Sequence, residues 1–245
     1  MLKSWDERRN LALPGDLSQT IAFAVDHWIK LARHAIASSG RFIVALSGGS
    51  TPKLIFEKLA EHPEALDWSR VFLFWSDERA VPPDHPDSNY HMAMAAGFSH
   101  LPLLKNQIFR MKAESNIEEN ALEYEEKIRQ IAGPELFDLV MLGLGDDGHT
   151  ASLFPKTTAL AVQNRLVVAN HVPQKNTWRM TFTFSCINQS KHPVMYVLGS
   201  SKQEIVANVL KASLPSPWPA SLIGTHFQKA LWVLDNSSSK VLLFQ

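Results

Sequence analysis

Two aspartates and a histidine lie close together in the sequence, at Asp146, Asp147 and His149. They follow the short apolar run Leu139–Leu142, which is typical of a buried strand. Glycines at positions 143, 145 and 148 let the backbone turn sharply and approach a ligand closely. Because a histidine exchanges protons near neutral pH and a carboxylate can orient its ring, the segment predicts an acid–base site. A surface turn without function is the alternative that this segment alone leaves open.

The loop Ser47–Thr51 has the composition of a phosphate site. It follows the predicted strand Phe42–Leu46, and Pro52 suits the first turn of a following helix. Converging backbone N–H groups, hydroxyl groups and a helix N-terminus all favour an anion. The loop is neither a Walker A loop, because no lysine follows the glycines, nor a dinucleotide G-x-G-x-x-G loop. It predicts a single phosphate on a small molecule, with a plain tight turn as the alternative. The residues that would hold the phosphate are Ser47, Gly48, Gly49, Ser50 and Thr51.

Three basic residues stand at or after the ends of predicted strands: Arg79, Arg179 and Lys202. Arginine offers a fork of donors to phosphate or carboxylate, and lysine supplies a point charge. Each of the three could bind the phosphate or stabilise a developing oxyanion. The histidines other than His149 have no companions at metal-ligand spacing, so we expect no required metal.

The segments that must position these residues alternate between strands and helices. Further strands are predicted at Val71–Trp75, Leu166–Ala169, Arg179–Phe184, Val194–Leu198 and Leu231–Leu234. Helices are predicted at Leu17–Ser38 (with Ser18 as N-cap and Gly40 as the stop), after Pro52, at Ile117–Ile131, and from Lys202 to about Leu210. A helix is also expected to open at Thr150–Ser152. We therefore predict an α/β fold, a single domain over residues 1–245 with a mostly parallel central sheet and helices on both faces.

Length and composition narrow the classes of function. The 245 residues include 24 basic and 24 acidic side chains, and this zero net charge argues against partners such as nucleic acid or an anionic membrane. No run approaches the roughly 20 apolar residues of a membrane span. The lone Cys186 fits a reducing compartment, so we expect a cytoplasmic protein, either a monomer or a small homo-oligomer.

Three segments resemble the signature segments of the 6-phosphogluconolactonase family: LSGGSTP (46–52), SDERAVPPDHPDSNY (76–90) and LGLGDDGHTASLFP (142–155). Shorter matches follow in the family's order: RMTFTFSCIN (179–188), GSSK (199–202) and PASLI (219–223). The resemblance thus covers nearly the whole chain. The sequence departs from the family at Lys156 and at Gly224-Thr225-His226, where Gly and Arg-Pro are common. That family is related to glucosamine-6-phosphate deaminase and to other sugar-phosphate isomerase-like folds.

This resemblance implies a Rossmann-like fold of the sugar-phosphate isomerase type. It also implies hydrolysis of a phosphosugar lactone, 6-phospho-D-glucono-1,5-lactone, to 6-phospho-D-gluconate in the oxidative pentose phosphate pathway. His149 would take a proton from the attacking water and then protonate the leaving ring oxygen, with Asp147 orienting it. Ser47–Thr51 would hold the phosphate, joined by Arg79, Arg179 or Lys202. No cofactor is implied.

Two other functions are weaker alternatives. A glucosamine-6-phosphate deaminase or isomerase typically carries Ile-Ala-Phe-Asn-Glu-Pro after its Gly-His pair, whereas the segment Thr150–Pro155 of this chain lacks that acid. A non-catalytic sugar-phosphate sensor needs a DNA-binding module. The segment before Phe42 is about one helix long and not basic enough to form one.

Overall fold

The computed structural model describes residues 2–242. Their strands are β1 Leu2–Ser4, β2 Arg9–Ala12, β3 Phe42–Leu46, β4 Val71–Trp75, β5 Asp77–Arg79, β6 Leu139–Leu142, β7 Val167–Val172, β8 Thr177–Phe182, β9 Pro193–Val197 and β10 Ala230–Leu234. The α-helices are α1 Leu17–Ser39, α2 Ser50–Ala60, α3 Asn89–Ala95, α4 Ile117–Ala132, α5 Phe184–Asn188 and α6 Gln203–Lys211. That residues 1–245 form one domain stays a prediction, because residues 1 and 243–245 lie outside the described part.

The central sheet has seven strands in the order β1-β2-β10-β9-β6-β3-β4. Its strand pairs are parallel, apart from the antiparallel pair of β1 and β2 at one edge. Every residue of β3, β6 and β9 is buried, as expected for parallel strands that are covered on both faces. The predicted α/β class with a mostly parallel central sheet is therefore confirmed. None of the described helices is both long enough and apolar enough to cross a bilayer.

A second, antiparallel sheet of three strands, β5-β8-β7, was not predicted. A single residue, Ser76, separates the end of β4 from the start of β5 and marks the bend between them. The Ser76 amide donates to the Leu46 carbonyl at 2.8 Å, and the Ser76 carbonyl accepts from Phe182 at 2.9 Å. Three consecutive charged residues in β5 give no apolar period, so the sequence pattern does not reveal a strand there.

Several local predictions need correction. Thr150–Ser152 does not open a helix: Thr150 forms an isolated bridge with Leu153, and Ala151 adopts a positive φ of 47°. The N-cap of α1 is Asp16, which forms a capping box with Gln19, whereas Gly40 ends the helix as predicted. The strand predicted at Arg179–Phe184 ends at Phe182, because the Thr183 hydroxyl caps the short helix α5.

The histidine His27 on α1 gives the fold a sensitivity to acid. Burial, together with the smaller effects of the charges of His192 and Lys30, lowers the pKa of His27 from 6.5 to about 4. Its Nδ1 atom is buried and has no hydrogen-bond partner among the described residues. The folded protein therefore holds His27 neutral at pH values where the unfolded chain protonates it.

We expect the contribution of His27 to the free energy of unfolding to be fully present above about pH 6.5. It should fall as the pH drops from 6.5 towards 4, because the unfolded state binds the proton first. His27→Gln should flatten this part of the pH profile. The measurement is urea unfolding at pH 7 and pH 4.5. The matched control is His34→Gln, at an exposed histidine of the same helix. An equal pH dependence in the wild type and in His27→Gln would contradict the assignment.

Candidate active site

A cavity of about 810 Å³ lies at the carboxyl ends of the central parallel strands, where open α/β sheets bind ligands. The loops after β3, β6 and β9 line one side, and the small sheet lines the other. All the residues that the sequence selected for chemistry or phosphate binding line this cavity: Ser47, Gly48, Gly49, Ser50, Thr51, Arg79, Asp147, His149, Arg179 and Lys202. The structure thus brings residues from five separate segments to one place.

A tight turn after β6 presents His149 to the cavity. The Gly145 amide donates to the His149 carbonyl at 2.9 Å, and the Gly148 amide donates to the Gly145 carbonyl at 3.0 Å. The Asp147 carboxylate accepts a hydrogen bond from His149 Nδ1 at 2.5 Å and another from the His149 amide at 3.1 Å. This pairing fixes Nδ1 as the donor and leaves Nε2 as the ring nitrogen that can act on a ligand.

The His149 ring packs against two neighbouring residues. It stacks on Phe154, with ring centroids 3.9 Å apart and planes 20° from parallel. The ring also lies close to the Cα atom of Gly145, where an added Cβ would come within 2.0 Å of the ring. Glycine is therefore required at position 145 for the close approach of the ring to the backbone.

The loop Ser47–Thr51 runs directly into α2, which starts at Ser50. Gly49, at the N-cap, has a φ of 107° and provides no side-chain cap, so the first amides of the helix remain available to a ligand. Gly48 lies against the Asn89 side chain, and a Cβ there would meet Asn89 Oδ1 at 1.9 Å. This geometry has the features of an anion site at a helix N-terminus.

Arg79 and Arg179 face each other across β5 and β8. Neither forms an ion pair with a described residue, and the Nε atoms of both are buried without a partner. Burial lowers the pKa of the Arg179 guanidinium, and the Arg79 charge lowers it further, although Asp77 acts in the opposite direction. Like charges directly opposite each other destabilise a sheet, so this arginine pair favours a bound anion.

Lys202 differs from the arginine pair because it already has a counterion. Its Nζ atom lies 2.6 Å from Asp146 Oδ1, and this hydrogen bond lowers the pKa of the Asp146 carboxyl. The Asp146 side chain is 83% exposed, so solvent weakens the attraction between the two groups.

Several residues that the sequence analysis did not assign to the site also line the cavity. Asp77 and Asn89 lie in the segment 76–90, which was noted as a motif but not assigned a role. Lys175 is placed there by the turn between β7 and β8, and nothing in its sequence neighbourhood signals a site. Thr177 and Tyr196 line the cavity from β8 and β9. Among residues 2–242, no group of three His, Cys, Asp or Glu side chains is arranged to hold a metal ion.

Comparisons with known proteins agree with the geometry of the site. The model of a family described as glucosamine-6-phosphate isomerases/6-phosphogluconolactonase matches residues 15–232. A 6-phosphogluconolactonase of Chlamydia pneumoniae is 38% identical, over 99% of this chain and 94% of that protein. A 6-phosphogluconolactonase of Synechocystis sp. is 39% identical, over 85% and 88% of the two chains.

Solved structures show the same relationship. The crystal structure of 6-phosphogluconolactonase from Thermotoga maritima is similar with a TM-score of 0.80 at 29% identity, covering 92% of this chain and 98% of that one. A monomeric glucosamine-6-phosphate deaminase is similar with a TM-score of 0.81 at 18% identity, covering 94% and 99% of the two chains. At that identity the second likeness concerns the fold alone.

Gly145→Ala should displace the His149 ring, because the new Cβ would lie 2.0 Å from ring atoms of His149. Crystal structures of the variants measure the effect directly. We expect the contact between His149 Nδ1 and Asp147 to be lost in Gly145→Ala. The matched control is Gly143→Ala, whose Cβ would meet nothing within 4 Å, and it should keep the contact. An unchanged His149 position in Gly145→Ala would contradict the packing argument.

Proposed function

The chain belongs to the family of glucosamine-6-phosphate isomerases and 6-phosphogluconolactonases, and we propose on that basis how its cavity works. The protein is an enzyme of the oxidative pentose phosphate pathway that hydrolyses 6-phospho-D-glucono-1,5-lactone to 6-phospho-D-gluconate. The observation that carries the proposed mechanism is the hydrogen bond from His149 to Asp147 on the wall of a cavity that also contains an uncapped helix N-terminus.

We propose that His149 is the general base. A water molecule attacks the lactone carbonyl carbon C1 while His149 Nε2 takes one of its protons, which forms a tetrahedral oxyanion. The Asp147 carboxylate, which holds Nδ1 at 2.5 Å, stabilises the resulting imidazolium. The bond from C1 to the ring oxygen then breaks, and His149 returns its proton to that oxygen. The product is the open-chain acid, and the enzyme returns to its starting state.

We propose that the substrate phosphate binds to the loop Ser47–Thr51 and to the arginine pair. The uncapped start of α2 supplies backbone donors, and Arg79 and Arg179 supply positive charge and form no ion pair with a described carboxylate. Lys202 is the candidate for the oxyanion, because it lies beside the His149 turn through its contact with Asp146. Breaking the contact between Lys202 and the exposed Asp146 carboxylate costs little free energy.

We propose a cytoplasmic enzyme, a monomer or a small homo-oligomer, that binds no nucleic acid and uses no metal. The deaminase alternative rests on a shared fold at 18% identity and on the joint description of the family, whereas the relatives of 38% and 39% identity are named 6-phosphogluconolactonases. The lactonase is therefore the function that the site supports best.

His149→Asn should lower the enzymatic rate by roughly 10²- to 10⁴-fold, the range for loss of a general base, and leave binding of 6-phosphogluconate unchanged. Asp147→Asn should cost less if Asp147 only orients the ring. The assay is proton release from freshly prepared lactone, with spontaneous hydrolysis subtracted. His100→Asn, at an exposed histidine away from the cavity, is the control. Near-wild-type turnover in His149→Asn with intact product binding would make Asp147 the leading candidate for the base.

The phosphate should accelerate the reaction, since binding energy from a non-reacting group can be used for positioning. Unphosphorylated gluconolactone should be a poorer substrate by about two orders of magnitude or more in kcat/KM. Arg179→Met should remove most of this preference, whereas Lys202→Met should slow both lactones alike. Comparable rates for the two lactones in the wild type would refute phosphate recognition. A loss of preference in Lys202→Met instead would reassign the phosphate to Lys202.

A further inference from the structure

A chain of buried side chains joins the loop Ser47–Thr51 to the His149 turn, and Asp77 lies at its centre. Asp77 is 6% exposed, and its Oδ2 atom accepts a hydrogen bond from the Ser152 hydroxyl at 2.6 Å. The Asn89 side-chain amide donates to the Asp77 carbonyl at 2.9 Å and to Asp77 Oδ1 at 3.2 Å. Ser152 and Asn89 are themselves 0% and 2% exposed. One carboxylate thus connects two segments that are far apart in sequence.

At one end of this chain, Ser152 fixes the segment that supports His149. Besides the bond from its hydroxyl to Asp77, the Ser152 amide donates to the Thr181 hydroxyl at 3.1 Å. The Ser152 carbonyl accepts from the Asn170 side chain at 2.9 Å. Phe154, two residues later, carries the ring on which His149 stacks. A shift of Ser152 would therefore be transmitted to Phe154 and from there to the imidazole.

At the other end, Asn89 packs directly against the loop Ser47–Thr51. The Cα atom of Gly48 lies so close to the Asn89 amide that no side chain fits between them. A ligand that fixes the backbone of this loop therefore fixes one wall of the space occupied by Asn89. Rigid contacts between buried groups transmit such restraints because protein interiors are close-packed.

We propose that Asp77, Asn89 and Ser152 are positioning residues that couple occupation of the phosphate loop to the placement of His149. The inference rests on the proposed function, since it takes Ser47–Thr51 to bind the phosphate and His149 to be the base. Phosphate bound at the loop restrains Gly48 and Asn89, Asn89 holds Asp77, and Asp77 holds Ser152 and the Phe154 support of the imidazole. The phosphate thus raises kcat as well as affinity, because a misplaced base loses rate steeply with distance.

The test separates this coupling from binding and from general stability. Ser152→Ala deletes the hydroxyl that reaches Asp77, and Ser152→Cys keeps the side-chain size with a weaker donor. The matched control is Ser190→Ala. Ser190 is also 0% exposed and donates one hydrogen bond, to the Cys186 carbonyl at 2.8 Å, but it has no hydrogen bond to Asp77. For each protein we would measure kcat on the phosphorylated and unphosphorylated lactones, the Kd of 6-phosphogluconate, and thermal stability.

We expect Ser152→Ala to lower kcat on the phosphorylated lactone by about tenfold, since even small misplacements of a reacting group cost this much. The same variant should change kcat on the unphosphorylated lactone by less than about twofold, and the Kd of 6-phosphogluconate by less than about twofold. A merely structural role would not give this difference between the two lactones. Ser152→Cys should fall between Ser152→Ala and the wild type, and Ser190→Ala should match the wild type on both lactones.

Two results would overturn the coupling while leaving the proposed function intact. One is an equal fall in kcat on both lactones in Ser152→Ala, which would mean that Ser152 supports His149 regardless of the phosphate. The other is a weaker Kd with an unchanged kcat, which would make the side chains part of the binding site alone. Failure of the wild type to hydrolyse the phosphorylated lactone, or to prefer it, would instead overturn the proposed function and the coupling together.

Discussion

The site depends on one constraint, which is that parallel strands end at the same edge of a sheet. The strands β3, β6 and β9 lie next to one another, although they are far apart in the sequence. The loops that follow these strands must therefore meet. The loop after β3 leads into the N-terminus of α2, the loop after β6 carries His149, and the loop after β9 carries Lys202. Because each strand is buried on both faces, the close packing of its side chains holds it in place. Rigid strands in turn give the loops defined starting points.

The small sheet completes the cavity through the alternation of side chains along β5. Asp77 and Arg79 line the cavity, whereas Glu78 between them points the other way and binds the start of α3. Burial raises the pKa of the Glu78 carboxyl, but its oxygens accept hydrogen bonds from three backbone amides and the Ser88 hydroxyl, which act against that rise. A buried carboxylate is tolerated when its lone pairs are satisfied in this way. The strand thus orders both the cavity wall and the loop beside it.

The sequence predicted most of the central sheet and the residues around the cavity, because apolar runs and glycine-rich turns leave a local signal. It missed β5, the edge strand β1 and its neighbour β2, which are short and have no apolar period. It could not reveal Lys175 or the link from Asp77 to Ser152, since those depend on pairings between distant segments. The false helix at Thr150–Ser152 arose because Thr150 and Ser152 suit a helix start, whereas tertiary hydrogen bonds hold that segment in a turn.

The charges around the cavity also bear on the stability of the ligand-free protein. Arg79 and Arg179 raise the free energy of the folded state, because like charges lie opposite each other in the sheet and both Nε atoms are buried without partners among the described residues. Natural proteins commonly accept such local costs at sites of function. An anion between the arginines would remove the cost, so the same groups that weaken the empty site favour the occupied one. A ligand that binds only the folded state therefore stabilises the fold, by an amount set by the ligand concentration relative to its Kd.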